Sequence, residues 1–341
     1  MKRLEIAGQA GVSQILVGER LENAGAYLPE NTRVIVITDE TVNRLYGQKM
    51  PDAERIVIGC GEASKTLDTA AFIYRRLIEL EADRSVFLFG VGGGIVCDIA
   101  GFVAATYLRG VRFASAATTL LAQVDASVGG KTGVNLDGYK NMVGVFHQPG
   151  FVICDPHLLK TLPGHEVVSG FAEIIKHAAI ADAGYFSRLE TRAEEAMALS
   201  PDVIEQIVYD SVVIKSDIVN RDEREKGERR KLNFGHTLGH AIEKTIGCSH
   251  GQAVSAGMVA AARLSVKKGL LRESDMQRLS DLLASFSLPV SLPADPAAVF
   301  DALARDKKRE ADFIWFVLLS AIGDCMVSPV ALTELQAVLG L

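Results

Sequence analysis

Short β-branched apolar runs, separated by stretches of helical periodicity, constrain the first half of this chain more than any single motif does. Residues 33–39 (RVIVITD), 54–59 (ERIVIG), 85–90 (SVFLFG), 111–117 (VRFASAA) and 151–155 (FVICD) each read as a buried strand, apolar and rich in β-branched or aromatic residues. After Ser64, apolar residues at Leu67, Ala71, Ile73, Tyr74, Leu77 and Ile78 repeat at helical spacing. Strands interleaved with helices predict a parallel sheet with crossover helices, and such sheets bind ligands beyond their strand carboxyl ends. Past Leu162-Pro163 the texture changes. Helical patterns cover 166–181, 184–198, 202–220, 233–246, 252–269 and 273–285, while 288–293 reads as a loop. Residues 312–320 and 324–327 suggest a short strand pair, and a last helix closes the chain. The expected organisation is an α/β domain over 1–160 and a mainly helical domain over 161–341.

A chain of 341 residues can bury two such cores. Its net charge of −6 argues against a general nucleic-acid or acidic-membrane binder. The start, Met1-Lys-Arg-Leu-Glu-Ile, lacks the apolar stretch of a secretory leader. No run approaches the ~20 apolar residues of a membrane helix. Cys60, Cys97, Cys154, Cys248 and Cys325 are odd in number and scattered, with no C-x-x-C pair. That usage fits thiols packed in a reducing cytoplasm, with no catalytic role.

Chemistry concentrates in a few places. Gly90-Val-Gly92-Gly93-Gly94-Ile-Val-Cys-Asp98 follows a strand and opens a helix. Backbone N–H groups there can approach a phosphate, aided by the helix dipole. A dinucleotide fingerprint would place a third glycine at Ile95, so a tight turn needing positive φ is the competing reading. Asp125-Ala-Ser-Val-Gly129-Gly130-Lys131-Thr132 ends like a P-loop, but Asp125 stands where that motif needs glycine, which rules out a nucleoside-triphosphate loop. Glu173 and Lys176 sit three apart on one helix face. His236 and His240 sit four apart, with His250 beyond a Gly-Cys-Ser break. Such imidazoles either ligate a metal or form a buried pair satisfied by carbonyls. The run 221–231 is almost wholly charged and reads as a solvated connector.

Taken in order, Gly-Gly-Gly-x-x-x-Asp98, Asp125…Gly-Gly-Lys131, Lys140-Asn141, Glu173-x-x-Lys176, Arg229-x-x-x-Asn233-x-x-His236-x-x-x-His240 and His250-Gly251 resemble the 3-dehydroquinate synthases of the shikimate pathway. The resemblance runs from about residue 39 to residue 323. It implies a Rossmann-like NAD domain followed by a helical metal- and substrate-binding domain. It further implies a divalent metal, zinc first and cobalt second, held by Glu173, His236 and His250, with His240 facing substrate instead. NAD would lie against Asp39, Glu62, Lys65, Gly92, Gly93, Gly94, Asp98, Thr118, Thr119, Lys140 and Thr161. Substrate contacts would be Asp125, Lys131, Lys140, Asn141, Lys176, Lys215, Arg229, Asn233, His240 and one of Lys307 and Lys308. Arg109 would be donated across a homodimer interface.

The implied reaction converts 3-deoxy-D-arabino-heptulosonate 7-phosphate to 3-dehydroquinate and phosphate. Hydride passes to NAD, phosphate is eliminated, the hydride returns, and an aldol step closes the ring. NAD is regenerated, so the net chemistry is that of a lyase. An acidic protein needs local cations to hold a substrate carrying phosphate and carboxylate, and the motif lysines and arginines supply them. The chain departs from the family at Gln252, where members commonly have Glu, and is somewhat short before the glycine loop. Other sugar-phosphate cyclases are the nearest alternative. A metal-dependent polyol dehydrogenase is more distant, since it would lack the lysine cluster.

Overall fold

The computed structural model describes all residues except 9–10, 292–294, 305–308, 311–312 and 340–341. Its chain divides into two compact units, Met1–Leu162 with Lys215–Glu223, and Pro163–Ile214 with Arg224–Leu341.

The first unit opens with β1 (Lys2–Gly8) and β2 (Gly11–Val17), then alternates β3 (Val34–Asp39), α1 (Glu40–Tyr46), β4 (Glu54–Ile58), α2 (Leu67–Glu79), β5 (Phe87–Gly92), α3 (Gly94–Thr106) and β6 (Arg112–Ala117). A hairpin of β7 (Lys131–Leu136) and β8 (Tyr139–Phe146) precedes β9 (Phe151–Cys154). Seven strands form one sheet in the order β1-β2-β9-β6-β5-β3-β4, parallel except for the β1–β2 pair. Successive residues of β3 feed opposite cores. Ile35 and Ile37 pack with Leu88, Ile99, Val103 and Phe113, whereas Val36 packs with Phe87, Phe89, Val91 and Phe151. Burial on both faces is why these runs lack alternation. The strand order reverses at β3, with β4 on one side and β5 and β6 on the other. The carboxyl ends of β3 and β5 therefore flank the position where open α/β sheets bind ligands.

The second unit carries α4 (Gly164–Ala181), α5 (Ala183–Thr191), α6 (Ala193–Met197) and α7 (Pro201–Arg221), whose end from Lys215 groups with the first unit. It continues through α8 (His236–Ile246), α9 (His250–Lys267), α10 (Glu273–Ser285) and α11 (Pro296–Ala304). Then come β10 (Arg309–Glu310), β11 (Phe313–Ala321), β12 (Asp324–Ala331) and α12 (Leu332–Leu339). The last three strands form an antiparallel sheet, so this unit is helical but not wholly so. The pattern expected over 184–198 divides at Arg192, whose non-helical backbone separates α5 from α6. The helix expected from 233 starts at His236, because Gly235 adopts a left-handed conformation (φ 78°). Asn233 belongs to the preceding 3₁₀ turn Glu228–Asn233. That turn also corrects the reading of 221–231 as a solvated connector, for Arg229 within it is buried.

Candidate active site

Each unit gathers its own set of polar side chains. In the first, the glycines at the β5–α3 junction serve close packing, not positive φ, which none of Gly92, Gly93 and Gly94 adopts. A Cβ on Gly92 would meet the Val96 side chain at 2.5 Å, and one on Gly93 would come within 3.0 Å of Thr119. Gly93 precedes α3, and no side chain caps that helix, so its first N–H groups and dipole are available to an anion. Thr118 N donates to Gly92 O at 2.9 Å, setting the β6 end beside the glycines.

One turn into α3, Asp98 accepts a hydrogen bond from Lys65, whose ammonium also donates to Asn141 Oδ1 at 2.6 Å. Burial pushes the Asp98 carboxyl up to about 6 even though Lys65 opposes it. Lys65 is itself buried, so the pair shares the desolvation cost of both charges. Glu62 lies 3.9 Å from Lys140 and accepts from Asn135 Nδ2 at 2.7 Å, while Asn135 Oδ1 accepts from Asn141 N at 2.9 Å. Lys215 Nζ donates to both the carboxylate and the backbone carbonyl of Asp125, each at 2.5 Å. Asp39 caps α1 by accepting from Val42 N at 2.9 Å.

In the second unit α4 is buried along most of its length, which places Glu173 and Lys176 at 0% and 1% exposure. Two charges so deep must compensate one another, and their side chains form an ion pair. His236 is the first residue of α8 and His250 the first of α9. The two helices approach closely because glycines face the crossing. A Cβ on Gly257 would fall 2.0 Å from Gly235 O, and one on Gly239 would lie 3.2 Å from Ala253 O. The His236 and His250 ring centres are 5.3 Å apart, and each Nε2 lies 3.4 Å from Glu173 Oε1.

This cluster has the chemistry of a cation site. His236 Nδ1 lies 3.2 Å from Phe234 O, and a carbonyl only accepts, so the ring's Nε2 lone pair is turned toward Glu173. Burial holds His236 well below the usual imidazole range, leaving it neutral. Neither Glu173 oxygen makes a regular hydrogen bond among the described residues, and the Lys176 ammonium, followed by the two imidazoles, holds the carboxyl well below its usual range against burial. A lone pair and a carboxylate oxygen facing each other repel unless a positive charge lies between them. Burial disfavours the charged form of His250, but the Glu173 and Glu243 carboxylates on either side of the ring outweigh it and raise the imidazolium to about 9. One carboxylate oxygen and two imidazole nitrogens within 4.8 Å of one another match the donor set of a catalytic divalent-metal site with open positions.

The family model described as 3-dehydroquinate synthase N-terminal matches residues 55–169, and that described as 3-dehydroquinate synthase C-terminal matches 170–309. A 3-dehydroquinate synthase of Symbiobacterium thermophilum is 43% identical over 89% of this chain and 88% of its own length. The chain belongs to the 3-dehydroquinate synthase family. Another such synthase, from Dehalococcoides mccartyi, is 44% identical over 92% of both chains. Among solved structures, a 2-deoxy-scyllo-inosose synthase complexed with carbaglucose-6-phosphate, NAD+ and Co2+ superposes with a TM-score of 0.89 at 28% identity, covering 99% of each chain. The 2-epi-5-epi-valiolone synthase of Streptomyces hygroscopicus, with NAD+ and Zn2+ bound, gives 0.86 at 28% identity over 95% of each. A probable glycerol dehydrogenase of Sinorhizobium meliloti, 17% identical with a TM-score of 0.67, shares the fold.

Against the residues that the 3-dehydroquinate synthase resemblance singled out, the structure joins Glu173, Lys176, His236 and His250, and separately Lys65, Asp98 and Asn141. His240 is exposed, its ring 5.4 Å from that of His236, and it lies outside the three-donor cluster. Asn233 Nδ2 donates to Glu225 at 2.5 Å. The Thr161 hydroxyl bonds Tyr46 at 2.5 Å. Lys131 and Arg109 are exposed, Arg109 on a turn where it and Leu108 both have positive φ. Lys307 and Lys308 lie outside the described residues. Gln252 closes a capping box on α9. Its side chain accepts from Ser249 N at 3.1 Å while its N–H donates to Ser249 Oγ at 3.4 Å, a task an amide performs as well as a carboxylate. Asn135 and Glu243 escaped the sequence reading. Asn135 carries no motif, whereas Glu243 falls three residues after His240 and seven after His236, on the same face of α8.

Proposed function

We propose that this chain converts 3-deoxy-D-arabino-heptulosonate 7-phosphate to 3-dehydroquinate and inorganic phosphate. The observation that carries the reading is the buried Glu173 oxygen set 3.4 Å from both His236 and His250, with the Lys176 ammonium against the same carboxylate. Glu173, His236 and His250 would hold a divalent metal, zinc or cobalt. Gly92, Gly93, Gly94 and the start of α3 would hold the pyrophosphate of NAD, with Asp39, Glu62, Lys65, Asp98, Thr118, Thr119, Lys140 and Thr161 as further cofactor positions. When bound, the metal supplies Lewis acidity toward a hydroxyl and the dinucleotide a reversible hydride acceptor.

The chain's own residues do the remaining work. Lys131 and Arg109 attract the substrate phosphate, while Arg229 and one of Lys307 and Lys308 attract its carboxylate. Asp125 fixes the Lys215 ammonium, so that this donor is held rather than searching rotamers. Lys65 spans Asp98 and Asn141, tying a cofactor position to a substrate position. Lys140, Lys176, Asn233 and His240 are the remaining proposed substrate contacts. The enzyme is proposed to be a cytoplasmic homodimer with Arg109 shared between subunits. Support comes from five cysteines that are all free and from the exposed Arg109 turn.

With zinc and NAD, the protein is expected to release phosphate from the heptulosonate phosphate while NADH stays at its starting level. Steady accumulation of NADH would point to a dehydrogenase, and turnover only of other heptulose or hexose phosphates to a different cyclase. Mixing inactive Arg109→Ala and Lys176→Ala chains should restore part of the activity through hybrid dimers. No recovery after proven subunit exchange would remove the shared arginine.

A further inference from the structure

We propose that Glu243 is the positioning residue for His250, fixing its tautomer and strengthening it as a metal ligand; this rests on the metal reading above. Glu243 lies on the last turns of α8, and its side chain is 15% exposed. Its Oε2 stands 3.5 Å from His250 Nδ1, on the opposite side of the ring from the Nε2 that faces Glu173. A carboxylate only accepts, so Nδ1 keeps its proton against Glu243, and the nitrogen that gives up its proton to a metal is Nε2, on the Glu173 side.

The two imidazoles of the cluster are thereby oriented by different means. His236 leans on a neutral backbone carbonyl, Phe234 O, whose position is set by the chain. His250 leans on a charged side chain, which also makes the ring more basic and a stronger donor to a cation. The cap at the start of α9 leaves Glu243 this role. Ser249 and Gln252 satisfy one another across His250, so Gln252 is occupied with the helix end and brings no charge to the ring. The anionic partner comes from the neighbouring helix instead.

The test uses the full chain stripped of metal, titrated with zinc against a chromophoric chelator, and loaded with Co2+ to read its d–d absorption. Glu243→Ala is expected to weaken zinc binding ~10–100-fold, the usual effect of removing such a partner. Glu243→Gln, which keeps an accepting oxygen but loses the charge, should fall between Ala and the parent. The Co2+ spectrum should change in both, and the loss of zinc affinity should exceed what the accompanying loss of metal-free stability accounts for. Wild-type zinc affinity and an unaltered Co2+ spectrum in both variants would overturn the proposal. So would a loss of affinity that merely follows a matching loss of metal-free stability. Glu173→Gln separates the two levels. If it too binds zinc like the parent, the metal site itself is wrong; if it alone fails, only the role of Glu243 is.

Discussion

Lys176 owes its burial to Glu173, and Glu173 owes its ionisation first to Lys176. Removing one partner from such a pair leaves an uncompensated charge, a loss of about 3–5 kcal/mol in buried sites. Lys176→Met keeps the length and removes the ammonium. The metal-free variant should therefore unfold in urea at markedly lower concentration than the parent, whereas zinc should restore most of the difference by supplying the missing positive charge. An unchanged metal-free midpoint would show that the imidazoles alone balance Glu173. The i,i+3 spacing of this pair was legible in the sequence, because the face of a helix is a local property. The pairings of Lys65 with Asp98 and Asn141, or of His250 with Glu243, were not. They join residues from separate elements, and only the tertiary arrangement decides which cation meets which carboxylate.

At the scale of elements, His250 reaches Glu173 only because α9 lies hard against α4. Gly251 makes that approach possible: its N–H donates to Ser169 Oγ at 3.0 Å, and a Cβ there would fall 2.4 Å from Ser169 Cα, a backbone atom that cannot rotate away. Gly251→Ala gains up to about 1 kcal/mol in helix propensity. The overpacking costs about 1–3 kcal/mol and displaces the residue next to a ligand. We expect lower urea stability together with weaker zinc binding. Gly164→Ala, at the start of α4 with open space around it, should be neutral or stabilising in both measurements. Equal zinc affinity in the two variants would detach helix packing from the metal cluster. The strands β3, β5, β6 and β9, the edge strand β4 with its short β-branched run, and most helices were legible because burial or an apolar stripe marks each of them locally. The β7–β8 hairpin was passed over although Asp137-Gly138, both with positive φ, is a strong two-residue hairpin signal. Its strand β8 is largely exposed, so no apolar run announced it. The β1–β2 pair and α11 were likewise missed.

Over the whole molecule, the metal cluster couples folding to pH. In the metal-free chain the His250 imidazolium is raised to about 9, above its unfolded value near 6.5. The native state thus binds that proton more tightly. Its contribution to stability is complete below about pH 6.5 and disappears as pH rises through 9. Glu173, depressed instead, contributes above its unfolded value near 4.5 and loses that contribution as pH falls toward its folded value. Zinc needs a neutral His250, so it competes with the proton, binds more tightly as pH rises toward 9, and displaces about one proton per ion at neutral pH. His236, already neutral, releases none. The melting temperatures of chelator-treated and stoichiometrically zinc-loaded protein should therefore lie closest near pH 6.5 and farthest apart near pH 9, because ligand stabilisation grows with affinity. Calorimetric titration in buffers of different ionisation enthalpy would count the proton directly. A gap that stays constant across this range, with no proton released, would mean that zinc does not replace the proton on His250, and that the charge between Glu173 and the two imidazoles is supplied by some other group.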